Sequence, residues 1–120
     1  MKVAVTSSGR SLNSPVDSRF GRAPYFILVD TETGAWEAYD NEQNVNAQQG
    51  AGVQAAETVS QAGAQLVITG HCGPKAFKTL QAAGIQVVVG ANGTVADAVA
   101  AFKSGKLQVA ERPNAESHWA

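Results

Sequence analysis
The chain has 120 residues, 44% of them hydrophobic and 16% charged, with a formal net charge of -1. That is enough for one compact domain with a real core and too little for two. The near-neutral balance excludes a general nucleic-acid or membrane-surface binder, which would carry a large basic excess, and a single cysteine excludes an internal disulfide.

Lys2 to Thr6 is short, apolar and valine-rich, the pattern of a buried strand. A polar segment follows through Ser7-Ser8-Gly9-Arg10 to Pro24, carrying Asp17, Arg19, Gly21 and Arg22. Tyr25 to Asp30 is predicted as the second strand. Thr31 to Gly34 has turn chemistry, so Ala35 to Tyr39 returns as the third strand of a hairpin. Asp40 to Gly52 is polar and glycine-bearing and is predicted as a loop.

The period then changes. Val53, Ala56 and Val59 mark a helix over Val53 to Ala62, stopped by Gly63. Gln65 to Thr69 is a strand. Pro74 suits a first helical position, and Ala76, Phe77, Leu80 and Ala83 line one face before Gly84. Ile85 to Val89 is another strand. Thr94 with Asp97 three residues on reads as a capping box for a last helix carrying Val95, Val99 and Phe102 and ending at Gly105. Leu107 to Ala110 fits a short edge strand. The predicted domain covers residues 1–112, and residues 113–120, with His118 and Trp119, read as a flexible tail.

The order β-β-β-α-β-α-β-α implies parallel strands joined by right-handed crossovers, with the hairpin as an antiparallel flank. The expectation is an α/β fold with a mixed five-stranded sheet flanked by helices. An internal echo supports it: "AGAQLVI" from Ala62 and "AGIQVVV" from Ala83 are the same helix-to-strand joint, each followed by a Gly-x-x-Gly turn. Met1 to Arg10 has no signal-like apolar run, and no segment approaches the roughly 20 apolar residues that span a bilayer. A cytoplasmic protein is the expectation.

Ligands of open α/β sheets bind beyond the carboxyl ends of the parallel strands. Three glycine-bearing loops leave such ends, at Ser7–Arg10, Gly70–Gly73 and Gly90–Gly93. Two of them lead into helix N-termini, which favour anions by about 0.3–1 kcal/mol. Arg10, Arg19, Arg22 and Lys75 place cations at the same edge, so an anionic ligand of modest size is expected. Backbone groups near Ser8, Gly70, Gly73 and Asn92 are its expected hydrogen-bonding partners. Cys72, just before a helix, is expected to have a lowered pKa, and with His71 beside it forms a soft donor pair suited to copper, zinc, iron or a metal–sulfur cluster. Two ligands without a further Cys-x-x-Cys or His-x-x-x-His argue against structural zinc, whereas a preassembled cluster needs fewer protein ligands. The bland alternatives are a cysteine that is only a small buried hydrophobe, a histidine that caps backbone, and arginines paired with Asp17 and other surface carboxylates.

The segments "SPVDSRFGRAPYFILVD", "GAGVQAAETV", "VITGHCGPKAF", "AGIQVVVG" and "GTVADAVAAFKSGKL" occur in that order. Together they resemble the dinitrogenase iron–molybdenum cofactor biosynthesis family, the NifX-like and NifB C-terminal-like domains, from Met1 to about Leu107. The resemblance implies a ribonuclease H-like fold with sheet order 3-2-1-4-5. It also implies a protein that binds and carries or stores an anionic metal–sulfur cofactor or precursor, a molybdenum-containing cluster of Fe-Mo-S or Mo-Cu-S type. One branch, in sulfate reducers, is similar to a carrier of a noncovalent molybdenum–copper sulfide cluster. Such a protein is no enzyme and has no catalytic residues; it would exchange cargo with donor and acceptor proteins. Two other classes remain open: a sulfur-transfer or redox enzyme built on Cys72, and a phosphate- or nucleotide-binding regulatory module. Nuclease chemistry is disfavoured, because two-metal sites need carboxylates on the sheet and Lys2 to Thr6 has none.

Overall fold
A computed structural model describes residues 1–114; the predicted His118-Trp119 tail lies outside the described residues. Five strands, β1 (Lys2–Ser7), β2 (Tyr25–Asp30), β3 (Trp36–Asp40), β4 (Leu66–Ile68) and β5 (Gln86–Val88), alternate in the second half with α1 (Ala51–Gln61), α2 (Pro74–Ala82) and α3 (Val95–Lys103). They form one sheet in the order β3-β2-β1-β4-β5. β1 pairs antiparallel with β2, β2 with β3, and β1–β4–β5 run parallel. The mixed sheet and its order agree with the sequence expectation.

Strand alternation sorts the core into two layers. Ala4, Phe26, Leu28, Val67 and Val87 face α1 and α2, meeting Ala55, Val59, Phe77 and Leu80. Val3, Val5, Ile27, Ile68 and Val88 face α3, meeting Val95, Ala98 and Val99. β1 is thus covered on both faces, and its Val3, Ala4 and Val5 are buried. This is why the central strand reads as an unbroken apolar run.

Gly63 and Gly84 close α1 and α2 at positive φ, 90° and 76°, a conformation that relieves the last turn only where no Cβ is present. Thr94 caps α3, accepting from Asp97 N–H, while the Asp97 carboxylate accepts from Thr94 N–H at 3.1 Å. Two expectations need correction. The predicted loop from Asp40 to Gly52 contains a 3-10 turn, Glu42–Asn44, and the first two residues of α1. Buried Asn41 drives that turn: its amide Nδ2 donates to Ala23 O at 2.8 Å and Gly21 O at 3.2 Å, and its Oδ1 accepts from Asn44. No apolar periodicity announces a turn held by asparagines. The expected edge strand at Leu107 to Ala110 is only an isolated bridge from Val109 to Val88, with Ala110 N–H donating to Val87 O at 2.7 Å. Three-residue β5 is too short to template a further ladder.

Candidate functional site
Residues 8–24 do not wander from β1 to β2. They form a strap laid across the carboxyl ends of the parallel strands, bridging Ser7 to Val16, Pro15 to Thr94 and Arg19 to His71. Thr6 O accepts from Asp17 N–H at 3.0 Å, and Gly93 O accepts from Val16 N–H at 2.9 Å. Ser18 O accepts from His71 N–H at 2.7 Å, and His71 O accepts from Phe20 N–H at 3.1 Å. Below the strap, buried Thr6 Oγ1 lies 2.7 Å from Asp17 O and 2.9 Å from Thr69 Oγ1, joining the tips of β1 and β4. Phe20 plugs the α1–α2 layer, its ring 5.6 Å from that of Phe26. The three loops singled out in the sequence therefore do meet at one edge, held there by backbone pairing.

Gly70 makes the closest approach to backbone atoms. A Cβ there would lie 2.8 Å from Ser18 Cα and 2.9 Å from Ser18 O, so only glycine lets the strap approach the β4 tip. Its carbonyl accepts from Gly90 N–H at 2.9 Å, tying the β4 and β5 tips together. Gly73 is the buried N-cap of α2, with ordinary extended geometry, and its carbonyl accepts from Phe77 N–H.

The cations behave differently from one another. Arg10 is exposed, its guanidinium carbon 5.3 Å from the centroid of Tyr25. The Tyr25 phenol donates to Glu42, a bond that raises its pKa from the ordinary value. Arg19 is partly exposed, with Nε 3.5 Å from Asp17 Oδ1. Lys75 is exposed in the first turn of α2. Arg22 is a structural latch: its Nη1 donates to Ala47 O at 2.6 Å and Val45 O at 3.4 Å, fastening the 41–47 segment to the strap. Arg10, Arg19 and Lys75 are the predicted cations that remain at the solvent edge.

Several predicted donors are already engaged. Ser8 N–H donates to Pro15 O at 3.0 Å. At the N-terminus of α3, Val95 N–H donates to Ser14 O and Ala96 N–H to Leu12 O, both at 2.9 Å, while Asp97 N–H donates to the Thr94 cap. The strap thus occupies that helix end with carbonyls, which weakens the case for a phosphate module there. Asn92 is exposed in the loop ahead of it.

Cys72 is the main correction. Its side chain is fully buried, in the same apolar cluster as Phe20, Ala76 and Phe77. Burial pushes the thiol up to about 12 instead of lowering it, because a thiolate in that layer would lose its hydration. Sγ lies 3.7 Å from the Gly73 carbonyl oxygen. A helix N-terminus lowers a thiol pKa only where the sulfur stands in front of the free N–H groups; here it points into the core. The bland reading of this cysteine is the one the structure supports, and a Cys72 nucleophile or rim ligand is unsupported. Among the described residues, no three His, Cys, Asp or Glu side chains gather in a metal-holding group.

One residue escaped the sequence reading altogether. Asn114 docks on the β4–α2 loop: Oδ1 accepts from Cys72 N–H at 2.8 Å, Nδ2 donates to Gly70 O at 3.0 Å, and its own N–H donates to Cys72 O at 3.2 Å. Nδ2 also lies 3.5 Å from His71 Nδ1. Asn114, at the start of the segment predicted to be loose, is therefore bound to this loop; the segment beyond Asn114 lies outside the described residues. No sequence signal marks a lone asparagine in a polar tail. Asn114→Ala should cost about 1–3 kcal/mol, because it strands the Cys72 N–H. Urea unfolding measures the loss, and hydrogen exchange at the Cys72 amide should accelerate.

Comparison with known proteins agrees with this architecture. The sequence profile of the family described as "Dinitrogenase iron-molybdenum cofactor" matches residues 1–105. The apo form of the orange protein from Desulfovibrio gigas superposes with a TM-score of 0.92 at 43% identity, covering 95% of this chain and 96% of that one. A candidate NifB protein from Thermotoga, solved by NMR, gives a TM-score of 0.83 at 36% identity, covering 96% and 97%. An uncharacterized protein of Methanocaldococcus jannaschii is 27% identical over 98 residues, 80% of this chain and 83% of its own.

Proposed function
The chain belongs to the dinitrogenase iron-molybdenum cofactor family, and from that premise we propose that it carries or stores an anionic, molybdenum-containing metal–sulfur cluster as cargo. The cargo is of Fe-Mo-S or Mo-Cu-S type. The observation behind this reading is the strap, which sets Arg10 and Arg19 at the strand tips, with Arg19 bridged to His71 and Lys75 in the helix turn just beyond. The resemblance to the branch of sulfate reducers favours the molybdenum–copper member of the pair, and the structural likeness to the apo form of an orange protein from Desulfovibrio gigas is in keeping with it.

Cargo is held by charge and hydrogen bonds in this reading. Arg10, Arg19 and Lys75 supply the positive field, and backbone groups near Gly73 and Asn92 face sulfide. Guanidinium suits such an anion: it stays charged at every working pH and offers several N–H donors in a plane. His71 is the remaining candidate for a direct soft ligand. The protein works as a carrier and not as a catalyst, in the cytoplasm, between donor and acceptor proteins. No helix among the described residues is long and apolar enough to cross a membrane. A ribonuclease H-like fold is kept, without nuclease chemistry, because β1 carries no carboxylate.

The test is reconstitution. Anaerobic protein incubated with tetrathiomolybdate and copper(I) should acquire a charge-transfer band and retain both metals stoichiometrically through gel filtration. The combined Arg10→Ala, Arg19→Ala and Lys75→Ala variant should retain the cargo at least about tenfold more weakly, and added salt should weaken the parent protein in the same direction. Uptake of neither molybdenum nor copper by the parent protein at stoichiometric levels would end this reading.

A further inference from the structure
The far edge of the sheet carries a second feature. Among the described residues, β3 pairs with β2 on one side only. In an antiparallel ladder, residues alternate between turning their backbone groups toward the partner strand and away from it. Two bonds fix the phase here: Asp30 N–H to Ala35 O at 2.9 Å, and Asn41 N–H to Pro24 O at 2.8 Å. Glu37 and Tyr39 therefore bond to β2, while Trp36, Ala38 and Asp40 direct their N–H and C=O groups outward. Such a row is a template for another strand.

The side chains around it are mostly acidic, with Lys2 and the N-terminal ammonium, 4.0 Å from Glu32, as the cations beside them. From Ala23 to Pro74 the chain has no lysine or arginine, yet Asp30, Glu32, Glu37, Asp40 and Glu42 all lie on this hairpin and the turn beyond it. Among them stands Trp36, 42% exposed. Beside it a cavity of about 250 Å³ is lined by Lys2, Leu28, Asp30, Ala35, Trp36 and Glu37. Negative charge guards this edge against a second copy of the chain, which would bring two acidic rows together. It does not guard against a cationic strand, and an exposed indole is a poor guard against anything.

We propose that the β3 edge docks an extended, basic segment of a partner protein as a sixth strand. The partner's backbone pairs with Trp36, Ala38 and Asp40, its lysines or arginines lie on the sheet face of Trp36 and Asp40, and its alternate apolar side chains lie on the face of Glu37, where one enters the cavity that Leu28 lines. The surface lies beyond β2 from the β1–β4–β5 tips, so this inference does not depend on the cargo reading.

A blocked heptapeptide alternating Lys and Val is the probe, and its Glu–Val counterpart the control. The full chain carries Trp119→Phe so that Trp36 is its one indole. The basic peptide should shift Trp36 fluorescence and slow amide exchange at Trp36, Ala38 and Asp40 by about tenfold or more. Glu37→Lys with Asp40→Lys should weaken binding at least about tenfold. Ala38→Pro, which removes an outward N–H and no ladder bond, should abolish the protection. Four results overturn the proposal: no binding of the basic peptide, equal binding of the acidic one, binding that leaves those three amides unprotected, or protection that arises from self-association of the free protein.

Discussion
Cys72 in the folded protein should react with iodoacetamide about 10³-fold more slowly at pH 8 than an ordinary thiol. The factor follows from the rise from 9.0 to about 12, since only the thiolate attacks and each pKa unit is a factor of ten. Full burial slows it further. The same shift predicts alkaline weakening. The folded-state pKa lies above the unfolded one, so this thiol's contribution to stability is complete below pH 9 and is lost as pH rises toward 12. Denaturant midpoints across that range measure it, and Cys72→Ala should remove this component of the slope at a cost near 1 kcal/mol for the small cavity. If the thiol lies where the structure places it, Cys72→Ala also keeps its cargo. Rapid alkylation of the native protein, or loss of cargo in Cys72→Ala without loss of folding, would mean that the sulfur reaches the rim.

Gly70→Ala should be the most disruptive single methyl group in the strand-tip region. Its two close neighbours, Ser18 Cα and Ser18 O, are backbone atoms that cannot rotate aside. To admit a Cβ the strap must lift, stretching the 2.7 Å bond from His71 N–H to Ser18 O and the 3.1 Å bond from Phe20 N–H to His71 O. Phe20 then loses its seat in the core. Overpacking and strained hydrogen bonds together should cost about 3 kcal/mol. Because Arg19 travels with the strap, cargo retention should fall as well. Gly63→Ala is the control. Its φ of 90° makes alanine costly there by about 1 kcal/mol, but nothing stands within 4 Å and the position lies before β4 at the opposite end of the sheet. It should lower stability and leave cargo binding intact. A Gly70→Ala protein as stable as the parent would show that the strap is not packed as described.

These two residues mark how far a sequence can be read. "GHCG" is conspicuous as text, and its position at the tip of β4 was legible from strand length, the glycine pair and Pro74. The side-chain directions were not. Alternation along three-residue β4 stops before Cys72, so the turn that follows decides whether sulfur faces solvent or core. Arg19 and Arg22 looked equivalent, three residues apart in one polar segment. One remains at the solvent edge near Asp17, and the other is held by the carbonyls of Val45 and Ala47, more than twenty residues away in sequence.

What the sequence determined by itself is the five strands and three helices of the sheet layer and their order. Valine-rich runs, threefold apolar spacing, glycines at helix ends and the Thr94–Asp97 box all act within a few residues, where dihedral preference and local hydrogen bonding decide the outcome. Crossover handedness then leaves few ways to assemble them. Only the tertiary structure decided which polar groups face a ligand and which are occupied by protein. The strap that closes the α3 N-terminus, the Asn114 clasp on the β4–α2 loop and the burial of Cys72 each depend on chain segments distant in sequence meeting in space. Such meetings follow from the path of the whole backbone, and no local pattern encodes them.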